Sequence, residues 1–185
     1  DRGAAVVIAD IDARGEQVAG RIGAAFVRTD VAGLADNTAA VEFTVARHGR
    51  LDIAVLNAGI GEVTDYLGAF DEAAYRRHTG VNLDGVVFGM RAALRRFRAQ
   101  GSGGAIVVTS SLAGLLSSPM NPLYAATKHT VIGLVRAIAP LVAEHGVTVN
   151  ALCPSFIDTP ILGDAVPYLR EAGFAVLDPR STLST

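Results

Sequence analysis

Tyr124 and Lys128 lie four residues apart in a stretch whose apolar pattern predicts a helix. Residues at this spacing share one helix face, so the phenol and the ammonium are expected to be neighbours. A phenol has a pKa of about 10 and is a poor base at neutral pH. A cation about 4 Å away, at an effective dielectric constant of about 20, stabilises the phenolate by about 4 kcal/mol, or roughly three pKa units. The pair therefore predicts acid–base chemistry, although exposed helices often carry the same spacing.

Lysine usage strengthens this interpretation. Of the 16 basic side chains, 15 are arginine, and Lys128 is the single lysine. A site that requires a compact ammonium would explain why lysine occurs only here.

Two further polar residues could complete such a site. Ser111 lies at the end of a predicted strand, 13 residues before Tyr124, and its hydroxyl could hydrogen-bond a substrate oxygen beside the phenol. Asn82 interrupts a sequence that is otherwise helical, which indicates a local backbone irregularity with a functional use. Each of them is ambiguous when taken alone.

Carboxylates and small residues follow the first three predicted strands. Asp10 can accept both hydroxyls of an adenosine ribose and would repel a 2′-phosphate, which favours NAD over NADP; a turn or helix-cap role is the alternative. Asp30 could reach an adenine edge, but a cap for the next helix is the simpler interpretation. The turn Asn57-Ala58-Gly59 lets the backbone approach a flat ring.

Short apolar runs alternate with longer helical stretches along the whole chain. The predicted strands are Ala4–Ala9, Ala24–Val27, Ile53–Leu56, Ala105–Val108 and Val147–Leu152. The predicted helices are Asp12–Gly20, Leu34–His48, Phe70–Gln100 with a break near Gly80, and Pro122–His145. This alternation predicts an α/β fold with a doubly wound parallel sheet, as one domain over residues 1–185. Ligands bind such sheets beyond the carboxyl ends of the strands.

Composition excludes several classes of protein. The 185 residues are 50% hydrophobic with a net charge of −2, and they form no basic stripe, so a nucleic-acid partner is not expected. No apolar run approaches the roughly 20 residues of a membrane span, and no signal peptide opens the chain. The single cysteine, Cys153, fits a reducing cytoplasm, and it is either a small buried residue or, with less support, a reactive thiol. We predict no metal site.

Together these residues resemble the short-chain dehydrogenase/reductase family. The motifs that carry the resemblance, in order, are Asp10, Asp30-Val31, Asn57-Ala58-Gly59, Val81-Asn82, Ser110-Ser111, Tyr124-Ala125-Ala126-Thr127-Lys128 and Val149-Asn150-Ala151. Three further segments resemble the NAD-linked hydroxyprostaglandin dehydrogenase branch, namely Ser111–Leu115, Lys128-His129 and Gly173–Pro179.

The resemblance implies a role for each residue in the oxidation of a secondary alcohol by NAD, or in the reverse reaction. Tyr124 would be the acid and base, and Lys128 would lower its pKa and hold the nicotinamide ribose. Ser111 would orient the substrate oxygen, and Asn82 would hold a water in a proton relay. Pro154, Ile157 and Thr159 would lie against the nicotinamide. The family also forms dimers or tetramers through two long helices.

The sequence departs from the family pattern in three respects. The family's first strand, glycine-rich phosphate turn and first helix are absent before Asp1, the last strand is absent after Thr185, and Ser155 stands where the family has glycine. We therefore expect a partial chain of a longer enzyme, with a strand missing between Ala4–Ala9 and Ile53–Leu56.

Two alternatives to an NAD-linked enzyme remain open. One is a non-catalytic fragment that serves as a binding or assembly module, and the other is an NADP-dependent reductase, which Asp10 opposes. The substrate would be a small alcohol or ketone, and the apolar segments around the predicted site favour a hydrophobic one. Those apolar residues are Leu115, Leu116, Met120, Phe156, Ile161 and Leu162.

Overall fold

The structure is a computed structural model of the chain that describes residues 3–61, 67–118, 121–163, 165–171, 173, 175, 176 and 178. Strands and helices alternate through these residues. The strands are β1 (Val7–Asp10), β2 (Ala25–Arg28), β3 (Ile53–Leu56), β4 (Gly104–Thr109) and β5 (Val147–Leu152). The α-helices are α1 (Arg14–Ile22), α2 (Leu34–His48), α3 (Glu72–Thr79), α4 (Gly85–Gln100), α5 (Pro122–Val142) and α6 (Ala165–Glu171).

The described strands form two parallel sheets. β1 pairs with β2, and β4 lies between β3 and β5 in the second sheet. β1 and β3 are each paired on one side, and no described strand lies between them. The predicted α/β class with parallel strands is confirmed, whereas the missing strand between β1 and β3 stays a prediction.

The hydrophobic core lies between the three-stranded sheet and the two long helices. Ile106 and Val108 of β4 are fully buried, and they pack with Phe97 of α4 and Val131 of α5. Burial of side chains of this size contributes roughly 1.5–3 kcal/mol each. The core therefore fixes α4 and α5 on the sheet whose carboxyl ends carry most of the candidate site. Among the described residues, no helix is both long and apolar enough to cross a bilayer.

Most predicted elements occur where the sequence puts them, with shifted ends. The bounds of α2, β3 and β5 match the prediction. The first strand begins at Val7 instead of Ala4, and Asp10 is its last residue, because pairing with β2 runs from Val7 to Asp10. Helix α1 continues past Gly20 to Ile22 and ends at Gly23, which takes the left-handed conformation at φ +70°.

The long stretch predicted as Phe70–Gln100 consists of α3 and α4 joined by a π-helical turn, Gly80–Asp84. In this turn the backbone N–H of Gly85 bonds the carbonyl of Gly80, five residues back. The predicted break near Gly80 is thus a widened helical turn, and Asn82 lies in its middle. Helix α5 ends in a short 3₁₀ turn, Ala143–His145. A 3₁₀ helix at Leu112–Gly114 and helix α6 were not predicted.

Candidate active site

The first turn of α5 carries Tyr124, and local sequence fixes where that turn begins. Asn121 is the N-cap, and its Oδ1 accepts a hydrogen bond of 3.2 Å from the backbone N–H of Tyr124. Pro122 occupies the first helical position, where its missing N–H costs nothing. Tyr124 therefore sits on a capped helix end and not on a loop.

Lys128 follows one turn later and is almost completely buried, with 2% of its surface exposed. Its Nζ donates to the carbonyl of Thr109 at 2.9 Å and lies 5.5 Å from the centre of the Tyr124 ring. Burial lowers the pKa of Lys128 from 10.5 to about 8. At pH 7 the side chain is still an ammonium, by about ten to one.

Ser111 connects the end of β4 to the phenol. It is the N-cap of the 3₁₀ helix Leu112–Gly114, and its Oγ accepts from the backbone N–H of Ala113 at 3.1 Å. The Ser111 side chain also lies beside the phenol of Tyr124, where its interaction by itself lowers the phenol pKa. The structure therefore brings Ser111, Tyr124 and Lys128 close together.

The sequence predicts that Lys128, helped by an oxidised nicotinamide, lowers the phenol pKa, and this stays a prediction. In the chain alone, burial is the largest influence on Tyr124 and raises the phenol pKa, although the interaction with Ser111 lowers it. The physical reason is that desolvation disfavours the phenolate, while the ammonium lies 5.5 Å from the ring centre and donates to Thr109.

Asn82 lies near Lys128, on the other side of Gly59, and is fully buried. Its Oδ1 accepts from the backbone N–H of Ile60 at 2.8 Å, and its Nδ2 donates to the carbonyl of Ile60 at 2.9 Å. A Cβ on Gly59 would lie 3.4 Å from both the Asn82 Oδ1 and the Lys128 Nζ. Glycine at position 59 thus lets the loop after β3 pass between the amide and the ammonium.

The other predicted rim residues lie at the carboxyl ends of their strands. Asn57 follows β3 and its Oδ1 accepts from the hydroxyl of Thr109 at 2.9 Å, and Ala58 separates it from Gly59. Asp10 is exposed, and one of its oxygens accepts from the backbone N–H of Asp12 at 2.9 Å.

The turn after β2 holds Asp30 and Val31. The Asp30 carboxylate accepts from the backbone N–H of Ala32 at 3.0 Å, and the Val31 carbonyl accepts from Asn37 at 2.7 Å. Asp30 therefore shapes the turn before α2, but the expectation that it caps this helix is wrong. The N-cap is Gly33, and no side chain bonds the first turn of α2 as a cap.

The segment after β5 is joined to the site at one end. The carbonyl of Pro154 accepts from the backbone N–H of Leu112, next to Ser111, at 2.8 Å. Ile157 and Thr159 are bonded to each other, through Thr159 Oγ1 and the Ile157 carbonyl at 3.3 Å. No described contact ties them to Tyr124. Within the predicted apolar pocket and the segment Gly173–Pro179, four residues lie outside the described residues, namely Met120, Phe174, Leu177 and Pro179.

Four residues that support the site had no predicted role, although Ser110 and Thr127 belong to the motifs found in the sequence. Thr109 supplies the carbonyl that holds Lys128, and the hydroxyl of Ser110 donates to the carbonyl of Lys128 at 3.0 Å. Gly114 lets the 3₁₀ helix touch α5, and Thr127 bonds Asn82. In the sequence, Thr127 lies next to Lys128, and Ser110 lies next to Ser111. Adjacency in sequence does not show which groups these two hydroxyls contact in the fold.

Comparison with known proteins supports the family suggested by these motifs. A family profile described as short chain dehydrogenase matches residues 1–168. The chain is 39% identical to cis-4-hydroxycyclohexanecarboxylate dehydrogenase from Sinomonas cyclohexanicum, over 100% of this chain and 75% of that protein. The chain spans 62% of a further relative, short-chain dehydrogenase reductase 4 from Arabidopsis thaliana, at 35% identity over 95% of its own residues.

Solved structures are similar over most of the chain. A gluconate 5-dehydrogenase from Burkholderia cenocepacia, in complex with NADP and tartrate, superposes with a TM-score of 0.82 and 34% identity. The match covers 89% of this chain and 66% of that one. A short chain dehydrogenase/reductase from Burkholderia phymatum in complex with NAD gives a TM-score of 0.78 and 32% identity, over 85% and 58% of the two chains.

Proposed function

This chain belongs to the short-chain dehydrogenase/reductase family, and we propose that it acts as an NAD-linked oxidoreductase on a secondary alcohol or ketone. The observation that carries the proposal is the buried ammonium of Lys128, which lies 5.5 Å from the centre of the Tyr124 ring, with Ser111 beside the phenol. A hydroxyl donor, a phenol and a cation are the groups that a proton transfer at a substrate oxygen needs.

Each side chain has a distinct part in the proposed reaction. Ser111 orients the substrate oxygen against the phenol, and Tyr124 exchanges a proton with it. Lys128 is charged at neutral pH and favours the phenolate. A bound oxidised nicotinamide would supply the hydride acceptor, and alcohol and NAD⁺ would then give ketone, NADH and one proton. Asn82, as the resemblance implies, holds a water through which that proton leaves Tyr124.

Ketone reduction and alcohol oxidation require different protonation states of the phenol, and the raised pKa of Tyr124 favours the protonated one. At neutral pH the phenol is protonated in the chain alone, and in this form it can donate its proton to a ketone oxygen. Oxidation of an alcohol needs the phenolate, and therefore more positive charge beside the ring than Lys128 supplies.

The residues at the strand ends fit a nicotinamide dinucleotide. Gly59 gives the backbone a close approach beside Lys128, and the exposed carboxylate of Asp10 suits ribose hydroxyls. We propose that these residues hold the cofactor together with the remaining rim residues. Those residues are Asp30, Val31, Asn57, Ala58, Tyr124, Pro154, Ile157 and Thr159.

NAD is the proposed cofactor because of the charge at the end of β1. The carboxylates of Asp10 and Asp12 both lie there, and they oppose a 2′-phosphate. Arg14 is ion-paired to Asp12, which reduces its availability for a phosphate. One similar protein is known in complex with NADP and another in complex with NAD. The cofactor preference of this chain is therefore proposed from its own residues.

The proposed substrate is a small, hydrophobic alcohol or ketone. Leu115 and Leu116 follow the 3₁₀ helix capped by Ser111, and both are about half exposed. Ile161 is also exposed on the segment after β5 and contacts Gly61 in the loop after β3. An apolar substrate would bury these side chains when it binds.

Two properties of the assembled protein belong to the same proposal. A groove of about 420 Å³ between α4 and α5 has an apolar floor that includes Met90, Leu94 and Ile138. We propose that a second copy of the chain covers it, which gives a homodimer or homotetramer. The proposed location is the cytoplasm, and no nucleic acid or membrane takes part.

The test is absorbance at the reduced-nicotinamide band, with the intact protein, NAD and a panel of hydrophobic secondary alcohols. NADP and an Asp10→Ala variant form the matched comparison. The proposal predicts turnover with NAD, weaker use of NADP, and a smaller difference between the two cofactors in the variant. Equal use of NADP by the wild type would contradict the role of Asp10.

A calorimetric titration with NAD separates the enzyme from the non-catalytic alternative. The enzyme binds NAD with or without a substrate. A folded protein that neither binds NAD nor turns over any substrate would instead support the binding or assembly module.

A further inference from the structure

Thr127 lies between Tyr124 and Lys128 in sequence, and its side chain contacts Asn82. It is 4% exposed, and its Oγ1 donates to the carbonyl of Tyr124 at 2.8 Å. The same oxygen accepts from the Nδ2 of Asn82 at 3.3 Å. The Thr127 hydroxyl thus bonds two groups: the backbone of the helical turn that carries the phenol, and the side-chain amide of Asn82 in the π-helical turn.

The Thr127 hydroxyl and the two backbone groups of Ile60 together fix the orientation of the Asn82 amide. A hydroxyl has one proton, and at Thr127 that proton is given to the Tyr124 carbonyl, so the oxygen can only accept from Asn82. A flipped amide would present an oxygen to Thr127 and to the Ile60 carbonyl, with no proton for either contact. Buried polar atoms without partners cost about 1–3 kcal/mol each.

The orientation of Asn82 matters because the loop after β3 depends on it. Both backbone groups of Ile60 bond the Asn82 amide, and Gly59 is the residue that passes beside Lys128. A change in the amide would therefore move the loop against the ammonium. The bonds run without interruption from Tyr124 through Thr127 and Asn82 to Ile60.

We infer that Thr127 is a positioning residue. Its hydroxyl holds Asn82 in place relative to Tyr124, and Asn82 in turn holds the loop beside Lys128. The inference rests on the proposed function, since it concerns the same reaction. It does not give Thr127 any contact with substrate.

The experiment compares Thr127→Val, which keeps the shape and removes the hydroxyl, with Thr127→Ser, which keeps the hydroxyl. Thr130→Val is the control, because the Thr130 hydroxyl also bonds a carbonyl of α5, that of Ala126 at 2.8 Å, but is exposed. The readouts are kcat, KM and the pH dependence of alcohol oxidation in the intact protein, with thermal melting to verify folding.

We expect Thr127→Val to lower kcat about tenfold, with a smaller effect on KM. The pH at half-maximal oxidation should move upward, because a misplaced ammonium favours the phenolate less. Thr127→Ser and Thr130→Val should behave as the wild type. A purely structural role would reduce the folded fraction without moving the pH midpoint.

Three results would overturn the inference: wild-type kcat and pH midpoint in Thr127→Val, failure of Thr127→Ser to keep them at the wild-type values, or loss of folding in both Thr127→Val and Thr127→Ser. Absence of turnover in the wild type would instead refute the proposed function. The two failures are therefore distinguishable.

Discussion

Lys128 is a buried ammonium. Burial disfavours its charged form, which lowers its pKa and reduces the free energy of unfolding at neutral pH. Its position four residues after Tyr124, and its being the only lysine, made the pair predictable from sequence. The direction of the phenol pKa was not predictable, because it depends on how much protein surrounds the ring. Sequence spacing gives neighbours on a helix, but desolvation is a property of the whole packed site.

The depressed pKa of Lys128 predicts how stability depends on pH. Its pKa is about 8 in the folded chain and 10.5 in the unfolded chain, so the unfolded state binds more protons between these values. The free energy of unfolding should therefore rise with pH across this window, by up to about 3 kcal/mol. In a Lys128→Met variant this contribution should be absent. Chemical denaturation of the cofactor-free protein at several pH values measures the difference.

Other groups also titrate in this range, including Tyr124, whose raised pKa opposes the rise above pH 10. The comparison between wild type and variant removes their shared contribution. Parallel stability curves for the two proteins between about pH 8 and 10 would show that Lys128 is not desolvated as the structure indicates.

At the scale of elements, Gly114 allows the 3₁₀ helix after β4 to pack directly on α5. A Cβ at Gly114 would lie 2.7 Å from the Lys128 carbonyl and 2.8 Å from both the Ser110 hydroxyl and Ile132 Cδ1. Backbone on one side leaves little room for relaxation. The approach of Ser111 to Tyr124 therefore depends on a glycine at this position.

Gly114→Ala should push the 3₁₀ helix away from α5. We expect a loss of about 1–3 kcal/mol in stability from overpacking. We also expect kcat to fall, because Ser111 moves away from the phenol. The matched control is Gly133→Ala on α5, where a Cβ meets nothing within 4 Å and helix propensity favours alanine by about 1 kcal/mol. Unchanged kcat in Gly114→Ala, measured on protein that melts cooperatively, would refute this coupling.

Element bounds were predictable where the chain carries its own signals. Gly49 ends α2, and Asn121 followed by Pro122 starts α5; both signals lie in the local sequence. The π-helical turn at Gly80–Asp84 was visible only as an irregularity around Asn82. Its form depends on tertiary bonds from Asn82 to Ile60, which lies 22 residues away. The 3₁₀ helix has a local cap in Ser111, but its packing against α5 depends on the close approach at Gly114.

At the scale of the molecule, the apolar groove between α4 and α5 predicts self-association. Leu141 on α5 lines the groove and is 66% exposed, so an aspartate there should leave the fold intact and introduce a charge into the interface. We expect the wild type to sediment as a dimer or tetramer, and Leu141→Asp to sediment as a smaller species. Leu34→Asp on α2, where leucine is also exposed, is the control. A monomeric wild type, or an unchanged Leu141→Asp, would contradict the proposed assembly.

The molecule as a whole was predictable to the level of its class. Apolar strands between helices predict a parallel α/β arrangement, because the strands of this class are usually covered on both faces. The distribution of strands between two sheets, β1 with β2 and β3 with β4 and β5, depends on long-range pairing. Ile53 and Val55 of β3 are each 61% exposed, although a strand of this class is usually buried.

The most direct test of the account is the rate of NAD reduction by Tyr124→Phe, compared with Tyr75→Phe and the wild type. Tyr75 is a partly exposed tyrosine on α3 that packs against Phe70, so it matches the chemical change outside the site. Loss of the Tyr124 hydroxyl should lower kcat by about 100-fold to 10,000-fold while NAD still binds, and Tyr75→Phe should keep full activity. Full activity in Tyr124→Phe would show that this phenol carries no proton in the reaction.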